Sequence, residues 1–354
     1  MNSRDKKIVK VLALLSSNEK NFVSAHLAEG PGSFIQATMF YRDKFAKSGL
    51  SKNDKYHAVT LHGEGIRQHV PKLEDNFVKY YEKEKPVRFI MQKTYSKTQG
   101  GGSDPNKCNG DLTDIKTRVL FGGNFKQKKA DFITADGGFD WKNENIQEQE
   151  AFKLILAQIV MALEIQEVKG HFVCKFYETF TNVSSKFISI LLSFYNKVYI
   201  VKPLMSRASN SEKYAVCMDF KAIKDADRAK RIAKLNNIIE SMNKNNTNIV
   251  DLFPDYTLDN SLITTLIKMN TDIANKQFEV INKMISFIEK QNYRGDEYTE
   301  SRELQIKASD FWIQTFLPDE KEFESKRNKM IKATKDLLET NQESISKIQK
   351  KLDI

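Results

Sequence analysis

Three charged residues stand where short apolar runs end. Asp136 closes the run in "TADGGFD", Lys175 comes near the end of "FVCKFYE", and Glu212 sits just ahead of "KYAVCMDF". A lysine at the carboxyl end of a strand costs on the order of several kcal/mol if buried unpaired, so Lys175 is expected at an open sheet edge or beside a carboxylate. A lysine amine flanked by carboxylates is suited to orienting a hydroxyl and helping to remove its proton. A fourth stretch, "HLAEGPGSF", places Gly30, Pro31 and Gly32 between two apolar runs. In an open parallel sheet, ligands bind at the carboxyl ends of the strands, where a glycine turn after the first strand lets backbone approach a ligand closely. The turn does not match GxGxxG and lacks the GK[ST] of a phosphate loop, which disfavours a dinucleotide or ATP. A Gly-Pro-Gly turn alone more often only reverses the chain, so its weight comes from its company. Asp111 in "NGDLTD" follows another apolar segment, where it could accept a hydrogen bond from an adenine amino group.

These residues need a sheet to bring them together. Strand-like runs occur near Phe22 to Leu27, Tyr56 to Leu61, Val87 to Met91, Asp131 to Ala135, His171 to Lys175, Lys197 to Val201 and Tyr214 to Met218. Helical spacing of apolar residues appears between them over Gln147 to Val168 and Val183 to Tyr195. The last two runs are separated by about a dozen residues without helical pattern, too few for the usual parallel crossover, so the last strand is expected to be antiparallel. The expectation is an α/β fold with a Rossmann-like sheet of about seven strands and a reversed last strand. Near Ala222 strand-like runs give way to amphipathic segments at Ala226 to Lys244, Ser261 to Gln291, Arg302 to Phe316 and Asp319 to Leu352. Two parts follow, a sheet domain over 1–221 and an all-helical extension over 222–354. "QGGGSDPNKCNGD", Gln99 to Asp111, reads as a flexible loop within the first.

Bulk composition narrows the function classes. The 354 residues are 40% hydrophobic and 29% charged, a globular balance. No apolar run approaches the roughly 20 residues that span a bilayer, so a soluble protein with no membrane partner is expected. The start, "MNSRDKKIVKVLALLSSNEK", reads as a helix rather than a signal peptide. Three cysteines without CxxC spacing suggest neither a disulfide framework nor a zinc site and fit a reducing compartment. Cys174 and Cys217 read as small apolar fillers. The five histidines share no metal spacing, and His26 and His171 in strand-like runs are expected to be packed or hydrogen-bonded. A net charge of +10 favours a polyanionic partner. Arg228, Lys230, Arg231 and Lys234 in "DRAKRIAK" either grip phosphates or form a solvated face. The Phe311-Trp312 pair either stacks on a base or packs the extension.

Taken in order, "LAEGPGSF", "GDLT", "ADGGFD", "VCKFYE" and "KPLMSRASNSEKYAVC" resemble the FtsJ-like S-adenosylmethionine-dependent ribose 2′-O-methyltransferases. Within that superfamily the chain resembles most the cap-specific messenger RNA enzymes, including those of large DNA viruses. The resemblance covers Asn2 to about Phe220 and implies a lysine, aspartate, lysine, glutamate tetrad. Asp136, Lys175 and Glu212 match three members. The first lysine falls on Lys7 in "KIVKVL", with Lys10 at the usual acidic position. Lys175 would orient the ribose hydroxyl and take its proton, Lys7 would add positive charge, and Asp136 and Glu212 would fix the ammonium groups.

For S-adenosylmethionine, the implied contacts are backbone at Glu29, Gly30, Pro31, Gly32 and Ser33 for the methionine part and Asp111 for the adenine, with Asp136 shared with the tetrad. Ser33 stands where the family commonly has glycine, Ala208 replaces a usual proline, and "TLHGEG" after the second strand offers no clear carboxylate for the cofactor ribose, Glu64 being the candidate there. The implied partner is RNA, in particular capped messenger RNA, without a required metal. Alternatives are the same chemistry on ribosomal or transfer RNA, or a non-catalytic RNA-binding or scaffold subunit of a capping or polymerase complex. The helical extension would dock a protein partner. Richness in Lys, Asn and Ile suits an AT-rich genome such as that of a large DNA virus. A cytoplasmic, and if viral also virion-associated, protein is expected.

Overall fold

A computed structural model describes residues 21–46, 49–61, 89–91, 110–138, 143–203, 206–245, 249–290 and 295–316. Lys7, Lys10, Glu64, most of the glycine-rich loop after Gln99 and the helix expected over Asp319 to Leu352 lie outside them.

Seven strands form one sheet: β1 (Val23–Leu27), β2 (Lys55–Val59), β3 (Phe89–Met91), β4 (Ala130–Ala135), β5 (Gln166–Phe176), β6 (Tyr195–Val201) and β7 (Lys213–Phe220). Their order is β3-β2-β1-β4-β5-β7-β6. Neighbours from β3 to β5 pair in parallel, while β7 runs antiparallel to both β5 and β6. This is the doubly wound sheet with a reversed last strand expected from the short final connection. Strand β1, VSAHL, is buried along its whole length, as a strand covered on both faces must be.

The described helices are α1 (Ser33–Phe45), α2 (Ile115–Gly122), α3 (Gln147–Ile165), α4 (Asn182–Phe194), α5 (Asp225–Asn245), α6 (Asn260–Glu289) and α7 (Asp296–Phe316). In α3 the predicted stripe of Phe152, Ile155, Leu156, Ile159, Val160 and Leu163 is buried in the central core. The helix stops at Ile165 rather than Val168, because Gln166 already belongs to β5. Its side-chain Nε2 donates to Ala130 O at 2.8 Å, and its side-chain Oε1 accepts from the Tyr195 hydroxyl at 3.0 Å. The polar residues Glu167 and Lys169 hide the first half of this strand from a hydrophobic reading. Helix α7 begins six residues before Arg302, with Asp296 and Glu297 in its first turn, where the helix dipole favours negative charge. Among the described residues no helix is long and apolar enough to cross a membrane.

The described residues up to Lys202, together with Glu212–Asn270, form one compact unit, and Pro203–Ser211 with the described residues from Thr271 onward form another. The change of texture at Ala222 therefore does not coincide with the division. Helix α5 buries Ile232, Leu235 and Ile239 in the same core as the sheet. Arg228 reaches the carboxyl end of α3, donating to Leu163 O at 2.7 Å and Gln166 O at 3.0 Å.

Candidate active site

Strand pairing alone places the predicted charged residues side by side. Leu27 of β1 pairs with Ala135 of β4, and Ala135 with Cys174 of β5. Asp136 and Lys175, one residue further on, emerge together at the carboxyl edge of the parallel strands. Because β7 is reversed, its beginning lies at that same edge. Tyr214 pairs with Lys175, and Glu212 directly precedes the strand.

The side chains complete the cluster. The Lys175 ammonium lies 3.2 Å from Asp136 Oδ1 and donates to the Asp136 carbonyl oxygen at 2.9 Å. The Lys175 and Asp136 side chains are 11% and 26% exposed, shielded yet reachable from outside. The Tyr214 hydroxyl donates to Asp136 Oδ1 at 3.1 Å and lies 3.3 Å from Glu212 Oε1, so one phenol links both carboxylates. Burial, then the charges of Asp136 and Glu212, push the Tyr214 phenol far above its ordinary range, so it remains a donor. The backbone carbonyl of Glu212 accepts from Lys202 Nζ at 2.8 Å.

Tyr177 supports the cluster from below. Its ring centroid lies 5.6 Å from Lys175 Nζ and its hydroxyl donates to Gly137 O at 3.0 Å. At Gly138 a Cβ would stand 2.8 Å from that hydroxyl oxygen and 3.4 Å from Lys175 Nζ, so the second glycine of "ADGG" keeps the lysine's surroundings clear. Lys213, next to Glu212 but on the opposite face, is buried and donates to the Tyr177 carbonyl. Desolvation lowers its pKa to about 8, with Glu178 and Glu148 acting in the other direction.

The glycine turn lies beside this cluster, at the end of β1. Ala28 has φ 53° and Gly32 φ 108°, and Gly32 caps α1 without a side-chain hydrogen bond. The Glu29 carboxylate acts in its place, Oε1 accepting from the Ile35 N–H at 2.8 Å. Glu29 is only 2% exposed, and burial raises its pKa to about 8 against the hydrogen bonds from the Ile35 and Phe34 backbone. Its Oε2 stands 3.8 Å from His26 Nδ1. This is not an ion pair, because burial lowers the His26 pKa to about 3. His26 instead hydrogen-bonds Thr134 Oγ1 at 2.8 Å and Ser24 Oγ at 2.9 Å, the packed role expected for it. The Phe34 ring lies 5.8 Å from that of Tyr214, joining the turn to the charged cluster.

Asp111 follows Gly110, whose φ is +80° and whose missing Cβ would fall 2.0 Å from Thr60 O at the end of β2. That close approach seats the loop against the strand next to β1. Asp111 Oδ1 accepts from Thr113 N at 2.8 Å, and Asp114 caps α2 by accepting from Lys116 N at 2.9 Å.

Thus Asp136, Lys175 and Glu212 converge, the turn Glu29 to Ser33 borders them, and Asp111 lies at the same edge two strands away from β4. Tyr214, Tyr177 and the Glu29 side chain were missed by sequence reasoning. Tyr214 was the legible one, since it follows Glu212 by two residues and so shares its face of the strand. The basic face of α5 is partly structural. Arg228 caps α3 and lies 4.7 Å from the Phe220 ring centroid, and Arg231 lies 5.6 Å from that of Phe194.

Known proteins resemble this chain in sequence. The family described as FtsJ-like methyltransferase matches residues 5–220. The human cap-specific mRNA (nucleoside-2'-O-)-methyltransferase 1 is 29% identical over 273 residues, 75% of this chain. The zebrafish (Danio rerio) protein of the same name is 41% identical over 98 residues, 27% of this chain and 12% of its own length. The chain spans only 30% of the length of the human relative. Among solved structures, human methyltransferase-like protein 13 in complex with SAH aligns with 67% of this chain and 92% of its own at 10% identity. Its TM-score of 0.37 is too low for that likeness to bear on the fold or the activity. The family match spans more than half of the chain and every residue gathered at the sheet edge: this protein belongs to the FtsJ-like methyltransferases.

Proposed function

We propose that this protein transfers the methyl group of S-adenosylmethionine to the 2′-hydroxyl of an RNA ribose, at the cap-proximal nucleotide of messenger RNA. The observation that carries the reading is the Lys175 ammonium held by both the side chain and the carbonyl of Asp136, with Tyr214 joining Asp136 to Glu212. The cap-proximal site is supported by the likeness to relatives named as cap-specific enzymes.

The residues at the turn fit the cofactor. A glycine turn opens onto the start of α1, and Glu29 Oε2 is a buried carboxyl oxygen without a hydrogen-bond partner. Glu29 to Ser33 would hold the methionine part and Asp111 the adenine. Bound there, S-adenosylmethionine supplies a methyl group already activated on a sulfonium. What the protein must add is alignment of the hydroxyl with that methyl and removal of one proton. Lys175 orients the hydroxyl and, having first released one ammonium proton to solvent, receives the hydroxyl proton as the oxygen–carbon bond forms and the methyl leaves sulfur, while Asp136, Tyr214 and Glu212 fix its position. Lys7 supplies the second positive charge that the family motif requires. In the same reading the helical extension docks a partner protein, supported by the exposed apolar side chains Phe278, Ile281, Met284, Ile285 and Ile288 at helical spacing along α6.

The test is methyl transfer from labelled cofactor to capped and uncapped transcripts of one sequence, with wild type and Lys175→Ala. Label in ribose of the capped transcript, reduced about 100-fold or more in the variant, is expected. No ribose methyl, or a fully active variant, removes the reading. Equal methylation of capped and uncapped RNA would move the substrate to ribosomal or transfer RNA.

A further inference from the structure

The loop that carries Asp111 is held from a helix beyond the residues matched to the family. Two peptide carbonyls follow Asp111 in succession, and each accepts from a side chain. Arg118, 1% exposed in α2, donates from Nη1 to Leu112 O at 2.7 Å. Its Nη2 donates to Asn236 Oδ1 of α5 at 2.7 Å, and Asn236 Nδ2 donates in turn to Glu164 Oε1 near the end of α3 at 3.2 Å. Asn243, also on α5, donates from Nδ2 to Thr113 O at 3.0 Å. Helix α5 covers Asp225–Asn245, whereas the family match ends at residue 220.

The other ends of the same peptide units hold Asp111. The unit joining Leu112 to Thr113 has its oxygen on Arg118 and its N–H on Asp111 Oδ1, the latter at 2.8 Å. The next unit has its oxygen on Asn243 and its N–H on the Asp111 carbonyl oxygen at 3.1 Å. A peptide unit is planar, so fixing its oxygen also fixes the direction of its N–H. Both the carboxylate and the backbone of Asp111 are thereby oriented by donors that α5 holds or supplies. The base of this arrangement is firm. Asn236 and Asn243 stand seven residues apart, about two helical turns, and so share one face of α5. Ile232, Leu235, Ile239 and Met242 of the same helix are buried.

We propose that Asn236 and Asn243 are positioning residues for the adenine of S-adenosylmethionine, acting through these two peptide units on Asp111. This rests on the placing of the adenine at Asp111 proposed above. The adenine amino group is a donor that a carboxylate can read only from the correct direction, and α5 sets that direction. The tetrad takes no part in it, so the effect belongs to cofactor affinity and not to the transfer step.

The experiment measures, by calorimetry on the full chain, binding of S-adenosylhomocysteine and of S-inosylhomocysteine, in which an oxo group replaces the adenine amino group. The variants are Asn243→Ala, the near-isosteric Asn243→Asp, which cannot donate, and Asn236→Ala. The exposed neighbour Asn237→Ala serves as control. Asn236→Ala also strips an acceptor from buried Arg118 and lowers the melting temperature, so the exposed Asn243 decides. Both Asn243 variants should bind S-adenosylhomocysteine about three- to tenfold more weakly, as the loss of one hydrogen bond allows, and the inosine analogue as wild type does. With Asp111→Ala already present they should cause no further loss. In methyl transfer the cofactor KM should rise while kcat stays unchanged. Asn243 variants that bind S-adenosylhomocysteine as wild type does overturn the proposal. So does an equal loss for the two ligands, a full further loss on Asp111→Ala, or a wild type indifferent to the amino group. A wild type that methylates capped RNA while the Asn243 variants match it removes this inference and leaves the proposed function standing. Variants that lose the preference for adenine in a protein that methylates no RNA do the reverse.

Discussion

Tyr214 is the side chain on which the geometry of the charged cluster turns. One phenol proton serves two carboxylates, at 3.1 Å and 3.3 Å, and the ring leans on Phe34 of the helix that follows the glycine turn. Removing the hydroxyl takes away the donor that joins Asp136 to Glu212. Tyr214→Phe keeps the ring contact, so folding should persist while the position of Lys175 loosens. Given the worth of a hydrogen bond to a charged group, about 1.5–3 kcal/mol, methyl transfer should fall by about ten- to a hundredfold. The readout is kcat at saturating RNA and cofactor, with thermal melting as the control. A variant with unchanged kcat would make Tyr214 a packing residue only. The spacing of two from Glu212 made the position legible, but an aromatic residue within a strand reads first as core.

At the scale of elements, the turn between β1 and α1 is held by a buried acid rather than by a capping serine or aspartate. Glu29 accepts from Ile35 N–H, and its pKa is raised from 4.5 to about 8. The sign of the linkage follows. Between pH 4.5 and 8 the unfolded chain has released this proton and the folded chain keeps it, so the contribution of Glu29 is fully present below pH 4.5 and is lost as pH rises through about 8. Glu29→Gln retains an oxygen acceptor for Ile35 and never ionises. Its melting temperature relative to wild type should therefore rise from pH 5 to pH 8 by about several degrees and then level off. A difference independent of pH would show that Glu29 does not carry its proton into the folded state. Elements of this kind set the limit of sequence reading. The seven strands and the reversed last one were legible because continuous apolar runs end in glycine or charge, and connection length decides direction. The first half of β5 was not, because Gln166, Glu167 and Lys169 carry no apolar pattern. Nor was the Glu29 side chain, since its role depends on burial that only the packed turn creates.

For the whole molecule, the decisive matter is where the folded unit ends. Residue composition changes near Ala222 and the family match stops at 220, yet the core does not stop there. Ile232, Leu235 and Ile239 of α5 are buried with the sheet, Leu252 and Leu266 join the same core, and Arg228 caps α3. Lys186 adds an ion pair to Asp251 at 2.8 Å, and Asn270 holds the loop after β5 at Thr179. A chain cut after Phe220 exposes the side of α3 that α5 covers and leaves the carbonyls of Leu163 and Gln166 without the arginine. Burying one large aliphatic side chain is worth roughly 1.5–3 kcal/mol, and five are lost, against a total stability of about 5–15 kcal/mol for a typical domain. Such a chain is expected to lack a cooperative thermal transition, whereas one ending after Asn270 keeps every contact just named and should melt cooperatively. Circular dichroism melts of the two truncations and the full chain decide the matter. A cooperative melt after the shorter cut would mean that the sheet and the four helices before it, α1 to α4, fold without α5, and that the break in composition at Ala222 also marks a break in folding.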